Sequence, residues 1–344
     1  MKFKGILAAL AGGVLALGAT AYAPSTHAAP FLIKIAEGPG PKPNHYGHTP
    51  IQEFAKEIEE KSGGRIKAKI YWNFALGKNE AVLNRLRTGQ VECIITSEGH
   101  VAPYYPDVQV LGIPYLFANR KVAYEVLDGP VGDKIAEGMA KKAGIRVLRW
   151  WENGGYRHYS SNKPLKSVDD LKGLKIRTMT NPVHMQIVRS LGASPTPIAW
   201  ADLYSSLQTG VVDGQENALA TFRIPKLEEV QKHIILDGHV YSVLGFYMSE
   251  KFWQSLPADL KKIVSDAVDR ATKRNREISF ANFESDRKYL ESKGVSVVDV
   301  SAAEKRRFQE MTQKPALEAL KKEVDPKLLA ELLEAVKAAE KKYQ

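Results

Sequence analysis

The sequence predicts an α/β protein built from two lobes with a cleft between them. Helical and strand-like patterns alternate through most of the chain, which is typical of α/β architecture. Residues 86–92 (LRTGQVE) have a counterpart in residues 207–213 (LQTGVVD), which favours two lobes on related plans. An unbroken amphipathic pattern over residues 257–293 predicts one helix about 50 Å long, enough to brace both lobes.

The N-terminus has the pattern of an export signal. Lys2 and Lys4 form a basic start, and an apolar run covers residues 5–23. Residues 26–28 (Thr-His-Ala) then offer a small-residue cleavage site. We therefore expect residues 1–28 to be a cleaved signal peptide and the mature protein to be periplasmic. A retained membrane anchor is the alternative.

Caps and periodicity predict the elements of the first half. Residues 49–52 (TPIQ) combine a capping box with proline at the first helical position, and residues 62–64 (SGG) end that helix. Apolar residues alternate with lysines over residues 66–70, which predicts a half-exposed strand. The remaining predicted elements are helices over 79–88, 120–127 and 133–142 and strands over 91–96 and 145–151.

A second series of alternating predicted helices and strands begins near Tyr156. Residues 167–170 (SVDD) cap a short helix, and residues 174–179 form a predicted strand. Asn181 and Pro182 open a helix that ends at Leu191 and Gly192, and residues 201–209 are helical again.

Composition argues against several classes of protein. Of 344 residues, 44% are hydrophobic and 26% charged, as in ordinary folded domains. The net charge of +10 is spread along helices without a basic-aromatic motif, so no nucleic-acid partner is expected. Cys93 is the only cysteine and lies in an apolar run, which predicts a buried, unreactive thiol. No metal or cofactor motif and no set of nucleophile, base and orienting group is present, so we expect no cofactor, metal or catalytic residue.

Arg177 is the leading candidate for ligand contact. It lies near the C-terminal end of a predicted strand, the edge where α/β proteins bind ligands. Its planar guanidinium can hold a carboxylate through two parallel hydrogen bonds, whereas a surface salt bridge is the alternative. Trp200 follows the next strand and provides either an apolar wall for the ligand or a core contact. Residues 213–217 (DGQEN) are polar and form either a ligand contact or a turn.

The chain resembles the substrate-binding subunits of tripartite ATP-independent periplasmic (TRAP) transporters, of the DctP type. The similarity covers nearly the whole chain after residue 28. Its most specific segments are residues 170–177 (DLKGLKIR) and 210–217 (GVVDGQEN). Residues 54–66 (FAKEIEEKSGGRI) and 111–117 (LGIPYLF) match the family as well.

This resemblance implies a periplasmic solute-binding protein, not an enzyme, whose two lobes close on the ligand with strands and a long helix crossing between them. Lobe I would comprise residues 29–154 and about 243–280, and lobe II residues 155–242 and about 281–344. The implied partners are a small organic acid and the membrane subunits of a TRAP permease, with the binding protein itself a monomer.

The resemblance also implies roles for individual residues. Arg177 matches the family arginine that pairs with the ligand carboxylate, and Arg157 matches a second arginine of many relatives. Asn217 ends the Gln-Glu-Asn motif, and Trp200 stands where many members place an aromatic residue. The full set of predicted ligand-binding residues is Arg177, Arg157, Asn217, Trp200, Gln215, Glu37, Ser97, Glu98 and Tyr241.

The first lobe departs from the family pattern. Relatives that bind sialic acid have a carboxylate near Ser97, whereas Glu98 is its neighbour here. The loop over residues 37–48, with three prolines, is also individual, so the contacts to the far end of the ligand are open. Tyr241 is expected to line an apolar part of the ligand together with Trp200.

Two other functions and several ligands stay open. A periplasmic isomerase or lyase on a similar scaffold would use His158 or Glu216, and a receptor lobe would signal to a membrane sensor. A dicarboxylate, a sugar acid, a keto acid and an aromatic acid all carry the carboxylate that Arg177 would bind.

Overall fold

The computed structural model describes residues 30–343. The predicted signal peptide therefore lies outside the described residues. Within this range no helix is both long enough and apolar enough to span a bilayer.

Nine β-strands form one connected sheet in the described part of the chain. In chain order they are β1 (Phe31–Ala36), β2 (Ile66–Tyr71), β3 (Cys93–Ser97), β4 (Ile145–Ser161), β5 (Lys175–Thr178), β6 (Ser194–Pro197), β7 (Gly214–Asn217), β8 (His233–Ser249) and β9 (Ser296–Asp299). Their spatial order is β2-β1-β3-β8-β4-β7-β5-β6, and β9 pairs with β8.

Helices pack on this sheet and complete the α/β architecture. They are α1 (His48–Lys61), α2 (Asn79–Thr88), α3 (Arg120–Leu127), α4 (Pro130–Ala143), α5 (Pro182–Ser190), α6 (Leu203–Gln208), α7 (Leu219–Phe222), α8 (Glu250–Ser255), α9 (Ala258–Ser292), α10 (Ala302–Leu320) and α11 (Pro326–Lys342). The α/β class predicted from the sequence is confirmed.

Two long antiparallel strands hold the sheet together at its centre. β4 and β8 each have 17 residues and pair from Ile145 opposite Ser249 to Ser161 opposite His233. The pairing register shifts three times along this ladder, including the stretch between Glu152 and Tyr156. Such bulges bend a strand locally and raise its twist, so the two halves of the sheet are joined through a bent ribbon.

Helix α9 has 35 residues and matches the predicted long helix closely. Its first part packs Leu260 and Val264 into an apolar cluster with residues of α1 and β1. Its last part packs Leu290 into a second cluster with residues of α6 and α7. Because one rigid helix contributes to two separate cores, it braces both halves of the molecule, as predicted.

The start of α1 differs from its prediction. The predicted cap at Thr49 is wrong, because the helix begins at His48 and its N-cap residue is Gly47. The His45 side chain supplies the capping acceptor instead, since its Nδ1 accepts hydrogen bonds from the backbone N–H groups of Gly47 (3.1 Å) and His48 (3.2 Å). The predicted end holds: the helix stops at Lys61, before Gly63 and Gly64.

The internal repeat has a structural counterpart. Gly89 ends α2 with φ +79°, and Gly210 follows α6 with φ +72°. Both are left-handed conformations that side chains with a Cβ rarely adopt, so glycine is required at the same point of each half. Cys93 is fully buried, as predicted.

The lobe boundaries stay a prediction. β4 and β8 run without a break through the point where the boundary was placed. In addition α11, assigned to lobe II, packs on α3 and α4, which lie in the stretch assigned to lobe I.

Candidate ligand-binding site

A cleft lies where the carboxyl ends of strands from both halves of the sheet meet. β1 and β3 run parallel on one side, and β5, β6 and β7 run parallel on the other. Polar residues at or just after these ends line a space of about 690 Å³, part of it open to solvent. The position at strand carboxyl ends is typical of small-molecule sites in α/β proteins.

The two sides of the cleft approach each other closely. Lys78 precedes α2 on one side, and its Nζ lies 2.6 Å from Oδ2 of Asp202 on the other. Trp200 lies beside Asp202 in a short 3-10 helix after β6, and its Nε1 comes near Gly38 across the cleft.

Arg177 is buried in this cleft without a carboxylate partner. It lies on β5 between Thr196 of β6 and Gln215 of β7. Only 1% of the residue is exposed, its Nε donates to the Ile198 carbonyl at 2.8 Å, and its Nη2 has no hydrogen-bond partner among the described residues. Burial lowers its pKa to about 10; the Glu216 charge opposes this and the Arg157 charge adds to it, and the group stays cationic at neutral pH. The surface salt bridge that the sequence left open is therefore not what the described residues form.

Arg157 lines the same cleft, but its charge is neutralised. Its Nε and Nη2 contact the Glu216 carboxylate, with an Nη2–Oε1 distance of 2.9 Å, and Nη2 also donates to the Glu216 carbonyl at 2.7 Å. Nη1 donates to Oγ of Ser242 at 3.0 Å. Burial alone would raise the pKa of Glu216, but the Arg157 charge and two histidines hold it well below its ordinary value. Arg157 thus has a carboxylate counter-ion, whereas Arg177 has none within ion-pair distance among the described residues.

A buried histidine completes the pairing of Glu216. His239 places Nε2 3.3 Å from Oε2 of Glu216 and Nδ1 2.7 Å from Oδ2 of Asp237. Although burial lowers the pKa of His239, these two carboxylates raise it to about 9. His239 is therefore charged and locked between two acids beneath the cleft.

Asn217 lines the cleft, and Gln215 orients it from behind. Nδ2 of Asn217 donates to Oε1 of Gln215 at 2.6 Å. Gln215 is fully buried and donates from Nε2 to Oγ of Ser160 at 2.9 Å. Of the Gln-Glu-Asn motif, only Asn217 faces the cleft, while Gln215 supports it and Glu216 neutralises Arg157.

The remaining predicted residues divide between the cleft and its surroundings. Glu37 and Ser97 line the cleft, whereas Glu98 and Tyr241 do not. Oε2 of Glu98 accepts from Oγ of Ser97 at 3.1 Å, and its Oε1 lies 3.5 Å from Nε2 of His184.

Tyr241 is predicted to line an apolar part of the ligand, but it lies outside the cleft. Its hydroxyl donates to Oε2 of Glu152 at 2.8 Å, and its ring packs edge-on against Phe117. Because alternate residues of a strand face opposite sides, its position on β8 turns the ring away from the cleft.

Three histidines that line the cleft, His45, His48 and His100, are absent from the predicted site. Nδ1 of His48 accepts the backbone N–H of Lys42 at 2.9 Å. His100 follows the end of β3, and His45 lies in the loop after β1. Their sequence spacing is that of no metal site, and within residues 30–343 no group of three or more potential metal ligands is assembled. Only their position just after strand ends, or in the proline-rich loop 37–48, signals a role.

Hydrogen bonds at Nδ1 determine which ring nitrogen of His45 and of His100 carries the proton. Nδ1 of His100 accepts from the amide of Asn79 at 3.2 Å and lies 2.8 Å from the Thr96 hydroxyl, so Nε2 carries the proton. Nδ1 of His45 accepts two backbone N–H groups, so its Nε2 is protonated as well. Both Nε2 atoms are buried and have no partner among the described residues.

Burial keeps these histidines neutral. It lowers the pKa of His100 to about 3, aided by the charges of Arg177 and Arg157. It also holds the pKa of His45 well below its ordinary value. Each therefore carries one neutral, buried N–H donor at neutral pH.

Glu37 is the acidic residue that faces the cleft. It follows β1, and its Oε1 accepts the backbone N–H of Gly38 at 2.9 Å. Burial raises its pKa to about 7, against the lowering effect of that hydrogen bond. Charged Glu37 therefore destabilises the folded protein before a ligand binds.

Glu37→Gln should stabilise the ligand-free protein at high pH but not at low pH. The carboxyl pKa is about 7 in the folded protein and 4.5 ordinarily, so the folded state binds more protons between these values and stability falls as pH rises through that window. At about pH 8 the variant should gain about 2–3 kcal/mol of unfolding free energy, and at about pH 4 nothing. Urea unfolding at both pH values measures this.

Glu334→Gln is the matched control, because Glu334 is exposed on α11. It should leave stability unchanged at both pH values. Equal stabilisation of Glu37→Gln at the two pH values would contradict burial of a titrating carboxyl.

Comparisons with known proteins agree with this fold. The model of the family of bacterial extracellular solute-binding proteins, family 7 (DctP), matches residues 39–323. A solute-binding protein of Verminephrobacter eiseniae is 37% identical over 257 residues, covering 74% of this chain and 76% of the relative. The C4-dicarboxylate-binding periplasmic protein DctP of Rhodobacter capsulatus is 30% identical over 98% of this chain and 99% of its own length.

A solved structure supports the same assignment. The crystal structure of the sugar acid-binding protein DctPAm of Advenella mimigardefordensis, in complex with galactonate, superposes with a TM-score of 0.85. It is 33% identical and covers 90% of this chain and 99% of its own. The predicted two-lobed fold and the resemblance to TRAP solute-binding subunits are thereby confirmed. The chain belongs to the DctP family, family 7 of the bacterial extracellular solute-binding proteins.

Proposed function

We propose that this protein captures a small organic acid in the cleft, with Arg177 pairing with its carboxylate, and delivers it to a TRAP-type permease. The family binds solutes and its named members are periplasmic. The observation that carries the role of Arg177 is its isolation: it is buried and cationic, with no carboxylate within ion-pair distance in residues 30–343. A buried charge without a partner is costly, and an anionic ligand would remove that cost.

Closure of the lobes would strengthen the ion pair between Arg177 and the ligand carboxylate. Arg177 approaches the cleft from one half of the sheet, and Glu37 and His100 approach it from the other. A ligand held between them is shielded from water, so its carboxylate interacts with Arg177 in a lower dielectric. Since the ligand contacts both sides only when they are close together, it shifts the balance toward the closed state.

The remaining parts of the proposal rest on the sequence and on relatives. Galactonate in one relative and C4-dicarboxylates in the name of another support small acids as the ligand class. The export pattern of residues 1–28 supports cleavage and a periplasmic location. The family resemblance supports a monomer working with a TRAP permease, with no role for nucleic acid.

The enzyme alternative has no support in the site. His158 lies outside the cleft, its Nδ1 accepts the backbone N–H of Gly238 at 3.0 Å, and burial lowers its pKa to about 4. Glu216 is held ionised by Arg157. Neither group is placed to exchange a proton with a bound acid, as general acid–base catalysis requires.

Paired acids and primary amides test the role of the carboxylate. Among a panel of small organic acids, those that bind should raise the unfolding free energy by about 2.7 kcal/mol at 100 times their dissociation constant. The amide of each binding acid should bind at least roughly a hundredfold more weakly, because it cannot form the ion pair with Arg177. Thermal shift finds the ligands and calorimetric titration ranks them. Equal binding of an acid and its amide would refute the proposal.

A further inference from the structure

We propose that the cleft selects a monocarboxylate with a neutral, hydroxylated tail and rejects dicarboxylates, with Glu37, His45 and His100 binding the tail. This inference rests on the proposed function, in which Arg177 holds the first carboxylate. It adds the chemistry of the opposite end of the ligand.

The charges of the cleft compensate one carboxylate and no second one. Of the two arginines that line it, Arg157 is already paired with Glu216, and only Arg177 lacks an acidic partner among the described residues. The other candidates for a cation that line the cleft, His45, His48 and His100, are kept neutral by burial. A second carboxylate in the closed cleft would therefore be desolvated without a counter-ion.

The side of the cleft opposite Arg177 offers neutral donors instead. Nε2 of His45 and Nε2 of His100 are both protonated, buried and without a partner in the part of the chain that the structure describes. A donor left unpaired after closure loses its hydrogen bond to water and gains none. An alkyl tail would leave both donors in that state, whereas hydroxyl oxygens would satisfy them.

Glu37 supplies the matching acceptor. Oε1 already accepts the N–H of Gly38, and the carboxyl group faces the cleft. Above its pKa of about 7, the Glu37 carboxylate can accept a hydrogen bond from a ligand hydroxyl group, whereas a ligand carboxylate has no proton to donate to it. Charged Glu37 would also repel a second carboxylate, so the same residue favours one ligand class and opposes the other.

Aldonates and aldarates of equal length test this selection, because they differ only in whether the far end is a hydroxymethyl group or a carboxylate. The probes are gluconate against glucarate and erythronate against meso-tartrate, with hexanoate and butanoate as tails without hydroxyl groups. By calorimetric titration at about pH 8, an aldonate should bind at least roughly a hundredfold more tightly than its aldarate and its deoxy analogue. A preference for an aldarate or a deoxy acid, or binding of other acids but of neither aldonate, would overturn the inference.

Variants separate this inference from the proposed function. Glu37→Gln removes the repelling charge and should narrow the preference for aldonate over aldarate by about tenfold or more. Glu334→Gln, exposed on α11, should leave it unchanged. If Arg177→Gln abolishes binding while aldarates bind best, only the tail assignment fails. If Arg177→Gln binds the same acid as tightly as the parent, the proposed function itself fails.

Discussion

Arg177→Gln is expected to weaken binding of the cognate acid by roughly a thousandfold, or about 4 kcal/mol, because it removes one partner of a buried charge pair. Arg177→Lys keeps the charge but loses the planar two-bond geometry, so a loss of about tenfold to a hundredfold is expected. Calorimetric titration with the best acid of the panel measures both.

Ligand-free stability gives the Arg177 prediction a second readout. The parent buries this cation without a carboxylate partner, and burial lowers its pKa to about 10. Arg177→Gln removes that unfavourable charge and should unfold at or above the urea midpoint of the parent. Lower affinity without lower stability distinguishes a ligand contact from a structural residue.

An arginine on the same side of the molecule provides the control. Arg189 is exposed on α5, and Arg189→Gln should change neither affinity nor stability. A strong loss of ligand-free stability in Arg177→Gln would contradict the interpretation, because it would mean that the guanidinium supports the fold.

Arg157→Leu is expected to destabilise the protein by about 3–5 kcal/mol, the usual result of breaking a buried ion pair from one side. The substitution leaves the Glu216 carboxylate buried with its largest attraction removed. The parent gains stability from ionised Glu216 above its ordinary pKa of 4.5 and loses that gain as pH falls further. The variant should lose most of this pH dependence. Urea unfolding as a function of pH measures both effects.

A double-mutant cycle tests whether the pair itself carries the effect. Arg157→Leu combined with Glu216→Leu leaves no unpaired carboxylate and should recover a large part of the lost stability. The recovery should stay incomplete because His239 still has Asp237 as a partner but loses Glu216. Strictly additive losses would show that the two residues act independently.

The sequence predicts the regular elements well where periodicity and caps are strong. α9 is found over Ala258–Ser292 against a prediction of 257–293, because its apolar face repeats without a helix breaker. β8 is not predicted, because nearly all of its 17 residues are buried and no alternation of apolar and polar residues marks it. The start of α1 is misplaced because the capping acceptor comes from His45, an unusual residue for that task.

The sequence identifies several residues of the site but not the groups with which they form ion pairs and hydrogen bonds. Arg157 and Arg177 both match family positions, yet one is neutralised and the other is not. The difference depends on Glu216, which is 59 residues from Arg157 in the chain and is brought to it by the pairing of β4 with β7. His45 and His100 are missed for a related reason: their role depends on tautomers set by neighbours such as Asn79, which no spacing rule contains.

The lack of a carboxylate partner for Arg177 among the described residues also affects which form of the protein would dock on the permease. If the ligand-free protein closed readily, it would dock on the permease and compete with ligand-bound protein for the same docking site. A cation that closure buries without a counter-ion makes the empty closed form unfavourable. Arg177 would thus both bind the acid and disfavour the closed ligand-free form, so that mainly ligand-bound protein docks on the permease.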